Sequence, residues 1–210
     1  MEDIFDLSVS EKEQEFISYG LDMELDVSVD ILDTLYNIPY IGSIIKLGKI
    51  GTKYQELHFI RKLARFLEKE KDIPLSEKEK FLNGINSKQR KVIFEYLTHY
   101  LLRSEDDLKA DVMGYIYKER VYGFLDDHMF LRLCSIVDKS FIYDLKALPL
   151  FVKRNAENPL YANNLINLGL IDNYVGGLWK NEPDFELNCV GKMLYDILEN
   201  NNWFLENKTN

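Results

Sequence analysis

The side chains with the clearest capacity for chemistry in this 210-residue chain are three histidines, two cysteines and a Gly-Lys pair. His58, His99 and His128 lie far apart, and no HExxH spacing sets two of them on one helical turn. Cys134 and Cys189 show no CxxC pairing, and no G-x-S-x-G marks a serine nucleophile. Cys134 sits in the apolar run FLRLCSIV, where burial without a base makes a thiol inert. Both thiols are expected to be free and buried. A helical ribonuclease site would need an Arg to hold phosphate and a His to move a proton, four to six residues apart. Arg90 to His99 leaves eight residues between and Arg120 to His128 leaves seven. A phosphate loop needs four residues between its glycines and then Lys-Ser/Thr, so that backbone amides wrap phosphate and the hydroxyl binds magnesium. Gly42 to Gly48 spans five residues, SIIKL, and Lys49 is followed by Ile50. The expectation is no catalytic residue, no cofactor and no metal site.

That last stretch, NIPYIGSIIKLGKIGTKY, carries a different kind of information. Ile38, Tyr40, Ile41, Ile44 and Ile45 are apolar, and Lys46 and Lys49 can snorkel. As a core hairpin the segment packs inside a bundle. As an interfacial element it enters a membrane surface, with Lys46, Lys49, Lys53, Arg61 and Lys62 meeting anionic lipid. As an exposed element it contacts a protein. About 13 helical residues span roughly 20 Å, short of about 30 Å of hydrocarbon.

Charge is distributed unevenly. The chain carries a net −9, but residues 1–36 hold eleven acids against one base. Residues 40–71 hold eight bases against three acids. The acidic head either solvates its end of the protein, folds over the basic segment, or mimics a polyanion for a basic partner. Glu11, Glu13, Glu15, Asp22, Glu24 and Asp26 are its candidate acidic contacts.

The elements that position these residues read as mostly helical. A short helix fits 10–20, and residues 23–36 alternate weakly. Leu57, Ile60, Ala64 and Leu67 form one helical stripe, widened by Phe59, Leu63 and Phe66 and ended by Pro74. Ser76 to Glu79 reads as a capping box for a helix with Phe81, Leu82 and Ile85, and Ser104 to Asp107 as a second such start. Residues 88–103 are apolar on more than one side. A helix from 104–107 carries Leu108, Val112, Tyr115 and Ile116 and breaks near Gly123. Asp126 caps a helix with Phe130, Leu133, Val137, Phe141, Leu145 and Leu148 on one face, before Pro149. The end of the chain reads as a helix from Asn158-Pro159, a left-handed cap at Gly169, a hairpin around Gly176-Gly177, and a helix capped by Asn188. The expected fold is mainly α: an antiparallel helical bundle with a small C-terminal winged-helix-like helix-hairpin-helix tail. The expected segments are 1–34 acidic, 35–150 bundle and 157–206 tail packed on it.

Hydrophobic residues are 46% and charged residues 29%, with five prolines and eleven glycines, as suits a globular chain. No basic-then-apolar leader opens the sequence, and no run of 18 uncharged apolar residues occurs. The expected setting is reducing and cytoplasmic, with peripheral association at the inner membrane as the alternative. Residues 157–206 carry eight acids against two bases, which disfavours nucleic acid as a partner for the tail, because DNA affinity rests on neutralised phosphates. Trp179, near the hairpin tip, is either a contact residue or buried.

DTLYNIPYIGSIIKLGKIGTKYQELHFIRKLARFL and DDLKADVMGYIYKERVYGFLDDHMFLRLCSIVDKSFIYDLKAL resemble a widespread group of uncharacterised bacterial and prophage helical proteins. The group shares an IPxIG-type segment, a long amphipathic helix and a later F-x-RL helix. The LINLGLIDN…FELNCVGKML tail is similar to that of the abortive-infection alpha family, which is linked to phage defence. The motifs are hydrophobic patterns, so the resemblance implies no catalytic residue. It implies a non-enzymatic protein of phage–host conflict, working through a protein partner or an anionic membrane surface, with self-association open. The alternative is an acidic inhibitor, an immunity or anti-defence protein that binds a basic partner through residues 1–36. A helical nuclease is the third and disfavoured reading.

Overall fold

The computed structural model of the chain describes residues 53–154, 159–175 and 183–207. The readings made for 10–20, 23–36 and 38–50, and for Gly176, Gly177 and Trp179, lie outside these residues. Among the described residues the fold is mainly α, with nine α-helices and one two-stranded sheet. The chain divides into two compact units, Met1–Cys134 and Ser135–Asn210. The division falls inside a helix, ahead of the 150–157 segment where composition shifts.

The first unit contains α1 (Lys53–Glu70), α2 (Leu75–Gly84), α3 (Ser87–Arg103), α4 (Asp107–Val121) and the start of α5 (Asp127–Lys139). Helix α1 buries Phe59, Ile60, Leu63, Ala64, Phe66 and Leu67, the wide stripe expected from its periodicity. Helix α2 does not start with the expected Ser76 box. Pro74 is its N-cap, and the Pro74 carbonyl accepts from the amides of Glu77 and Lys78, which places Ser76 inside the first turn. The capping box occurs one helix later. Asn86 Oδ1 accepts the Gln89 amide at 2.9 Å, and the Asn86 amide donates to Gln89 Oε1 at 3.1 Å. Asp106 caps α4 by accepting the Leu108 amide at 2.8 Å.

Helix α4 is the axis of this unit. Every residue from Lys109 to Tyr117 is buried, so its polar and apolar faces are both covered. Tyr117 meets the rings of Phe66 on α1, Phe81 on α2 and Phe130 on α5 at 5.4, 6.0 and 6.2 Å between centroids. Helices α1 and α4 run parallel: Arg61 pairs with Asp107, Arg65 with Asp111, and Lys69 lies over the Tyr115 ring. The antiparallel packing expected of sequential helices does not extend to this pair, because α2 and α3 intervene in sequence and return the chain. Close contact is possible because Gly114 has no side chain. A Cβ there would stand 2.7 Å from the Phe66 carbonyl oxygen and 2.8 Å from Lys69 Cβ.

Helix α5 begins as read, with Asp126 Oδ1 accepting the Met129 amide at 2.7 Å. It does not continue to Leu148. It stops at Lys139, and α6 (Ile142–Lys146) follows, then a 3-10 turn (Leu148–Phe151). Ser140 turns its hydroxyl back to the Val137 carbonyl at 2.8 Å, and Phe141 becomes extended. Phe141 therefore leaves the expected core face and is 62% exposed.

The second unit continues with α7 (Pro159–Asn167), β1 (Ile171–Val175), β2 (Pro183–Leu187), α8 (Cys189–Asn200) and α9 (Trp203–Glu206). Gly169 has φ of +72° and donates to the Ile166 carbonyl, while the Leu170 amide reaches the Leu165 carbonyl. This is the left-handed cap expected there. The strands pair antiparallel, Ile171 opposite Leu187 and Asn173 opposite Phe185. Asn188 caps α8 through Oδ1, which accepts from the Val190 and Gly191 amides, both at 3.0 Å. Its Nδ2 donates to the Gly169 carbonyl at 3.0 Å and so ties the end of α7 to the start of α8. Leu148, Phe151, Leu165, Leu194, Leu198 and Trp203 form the centre of this unit, all fully buried.

Candidate functional site

The charged stripe of α1 is built on a four-residue spacing that α4 repeats. Arg61 and Arg65 are one turn apart, as are Asp107 and Asp111, so parallel helices bring them into two rungs. Arg61 Nε lies 3.0 Å from Asp107 Oδ2. Arg65 is bidentate on Asp111: Nε donates to Oδ1 at 2.9 Å and Nη2 to Oδ2. Asp111 is almost fully buried, whereas Arg61 is half exposed.

Lys62 points to the end of α3. It is buried, and its Nζ donates to the carbonyls of Ser104 at 2.8 Å and Leu102 at 3.3 Å. Burial pushes its pKa down and Asp107 opposes that shift. The amine thus satisfies carbonyls that a helix end leaves open. Of the ten residues read as partner or membrane contacts, Ile38, Tyr40, Ile41, Ile44, Ile45, Lys46 and Lys49 lie outside the described residues. Lys53 opens α1, Arg61 is paired at the surface, and Lys62 is inside the unit. The acidic set, Glu11, Glu13, Glu15, Asp22, Glu24 and Asp26, also lies outside. Within α1 the positive charge of Arg61 and Arg65 is answered by α4.

Arg90 and Arg120 each donate to groups other than His99 and His128. Arg90 Nη2 donates to the Leu82 carbonyl at 2.7 Å. His99, nine residues further along α3, is about 13 Å along the axis and within 3.4 Å of Arg103. Arg120 lies over the Phe81 ring at 4.8 Å and donates to Asp127 Oδ1 from Nε at 2.8 Å and Nη2 at 2.6 Å. Asp127 Oδ2 in turn accepts from Gln89 Nε2 at 3.2 Å. This network links α2, α3, α4 and α5, and His128 stands exposed beside it.

Cys134 is fully buried, and desolvation pushes its thiol pKa far up. Cys189 is exposed at the first position of α8, a correction to the expectation that both thiols are buried. The Asn188 cap turns the chain there and leaves the Cys189 side chain outside. No group of three or more His, Cys, Asp or Glu with metal-binding geometry occurs among the described residues. Nor is any described helix long and apolar enough to cross a membrane.

What the sequence reading missed are exposed aromatics. Phe124, just past Gly123 in the α4–α5 turn, is 76% exposed and lies 6.5 Å from the Tyr122 ring. Phe141 and Tyr143, at the start of α6, are 5.2 Å apart with Lys146 over the Tyr143 ring. The available signals were Gly123, which forces the turn, and Lys139-Ser140, which ends α5 and breaks the apolar register that Phe141 otherwise fits. No protein-family model, curated protein or solved structure matches the chain.

Proposed function

We propose that this chain is a non-enzymatic component of phage–host conflict that acts by contact, with a protein partner or at a membrane surface. The setting is supported by the resemblance of residues 33–67 and 106–148 to prophage helical proteins, and of the tail to the abortive-infection alpha family. Contact is supported by one observation above others: Phe124 is 76% exposed next to Tyr122 on a turn of the first unit. Aromatic side chains concentrate binding energy when a partner covers them. Arg120, one turn before Phe124, is held in a structural pair with Asp127.

The test is plating efficiency of a phage panel on cells carrying the chain, beside cells carrying Tyr122→Ser/Phe124→Ser. The native chain should lower plating for some phages. The variant should fold, by circular dichroism, and should restore plating. A native chain without effect on any phage removes the setting, and a variant that protects undiminished removes the contact.

A further inference from the structure

We propose that the edge of the second unit formed by α6 and the 3-10 turn docks on an anionic lipid surface. This rests on the contact reading above and names a surface different from residues 38–62. Residues 139–154 hold four of the seven bases of residues 135–210: Lys139, Lys146, Lys153 and Arg154. The one acid among them, Asp144, is buried, and both its carboxylate oxygens accept from Asn164 Nδ2 at 3.2 Å. Arg154 lies 3.2 Å from Glu186, whereas Lys139, Lys146 and Lys153 have no carboxylate partner among the described residues. In a chain of net −9 this is a local concentration of positive charge.

The same stretch exposes apolar side chains between the bases. Phe141, Tyr143, Leu150 and Val152 are each more than 40% exposed. Phe141 and Tyr143 lie ring to ring at 5.2 Å, and the Lys146 amine stands 5.2 Å from the Tyr143 centroid. A headgroup layer accepts this mixture. Aromatic rings settle at the level of the ester groups, and lysine stems reach back along them to phosphate. A protein partner would need a matched concavity for each separate apolar side chain, whereas a fluid interface does not. The attraction is to lipid phosphate and is screened by salt.

Flotation of the full chain with vesicles tests it. The chain should float with vesicles of phosphatidylcholine plus phosphatidylglycerol at low salt, less at high salt, and not with phosphatidylcholine alone. Lys146→Glu/Lys153→Glu should weaken binding by about thirtyfold or more, taking roughly fivefold for each base lost. Phe141→Ser/Tyr143→Ser should weaken it by about tenfold or more. Both variants change exposed positions, and an unchanged circular dichroism spectrum shows that they fold. Absence of flotation at low salt overturns the proposal. So does undiminished flotation of the Phe141→Ser/Tyr143→Ser variant, or loss only in Ile44→Asp/Ile45→Asp, which would assign the membrane contact to residues 38–50. Binding to polyglutamate without binding to vesicles makes the surface an acidic-protein site and overturns it too. If phage protection survives in a chain that does not float, the lipid surface is wrong while the contact reading stands.

Discussion

Lys62 shows how a residue type can be read and its destination missed. Its charge and its place in a basic run suggest a surface contact, yet its amine is enclosed with the carbonyls of Leu102 and Ser104. Nothing in the local sequence announces this, since the carbonyls belong to a helix end about forty residues away. Lys62→Met keeps the stem and removes the donor, leaving those carbonyls unsatisfied. Stability should fall by about 1–3 kcal/mol in urea unfolding. No change would mean that water reaches these carbonyls. Glu119 gives a pH-dependent counterpart. Burial pushes its carboxyl pKa above the ordinary 4.5, against Lys118, which lowers it. Between 4.5 and the raised folded value, the folded state holds a proton that the unfolded state has lost. Stability contributed by this group is therefore complete below about pH 4.5 and is lost as pH rises through the folded value. Glu119→Gln should match the native protein at pH 4 and be more stable at pH 7, as read by thermal unfolding at the two pH values.

At the scale of elements, the sequence reading succeeded where a single helix carries its own pattern. The stripe of α1, the Asp126 cap of α5, the Gly169 turn and the Asn188 cap all depend on neighbours within a few residues. It failed where two local signals compete. Pro74 took the cap from Ser76, and Ser140 ended a helix whose apolar repeat ran on through Phe141. Pairing between helices was less legible still. The spacing Arg61/Arg65 and Asp107/Asp111 is present in the sequence, but it implies rungs only once α1 and α4 are known to be parallel. Asp111 is the enclosed member, so Asp111→Ala should cost about 3 kcal/mol by leaving Arg65 without its partner. The double variant Arg65→Met/Asp111→Leu should recover most of that loss. A double variant as unstable as Asp111→Ala would show that the pair is needed for more than its mutual neutralisation.

For the whole molecule, the mainly α class was legible because it sums many periodic segments, each independent of how they assemble. The division was not, because it falls within α5 between Cys134 and Ser135, where no Pro, Gly or change of composition marks it. The division has a measurable consequence. Gly114→Ala forces a methyl group against the Phe66 carbonyl and must part α1 from α4. Amide exchange should rise across the helices of residues 53–121 while the amides of α7 and α8 keep their protection. An equal rise in both would show that the units open together.

Gly114 also constrains which sequence changes a lineage can inherit. The atom that a methyl there would strike is a backbone oxygen, which no substitution in α1 can trim. The rungs at 61/107 and 65/111 are side chain against side chain, and two successive substitutions can replace each by an apolar pair. The charges of this seam can therefore be exchanged through descent when both members of a rung change, while the glycine beside them is held in place. Among descendants of this fold, the least chemically capable residue of the seam should be the most faithfully retained.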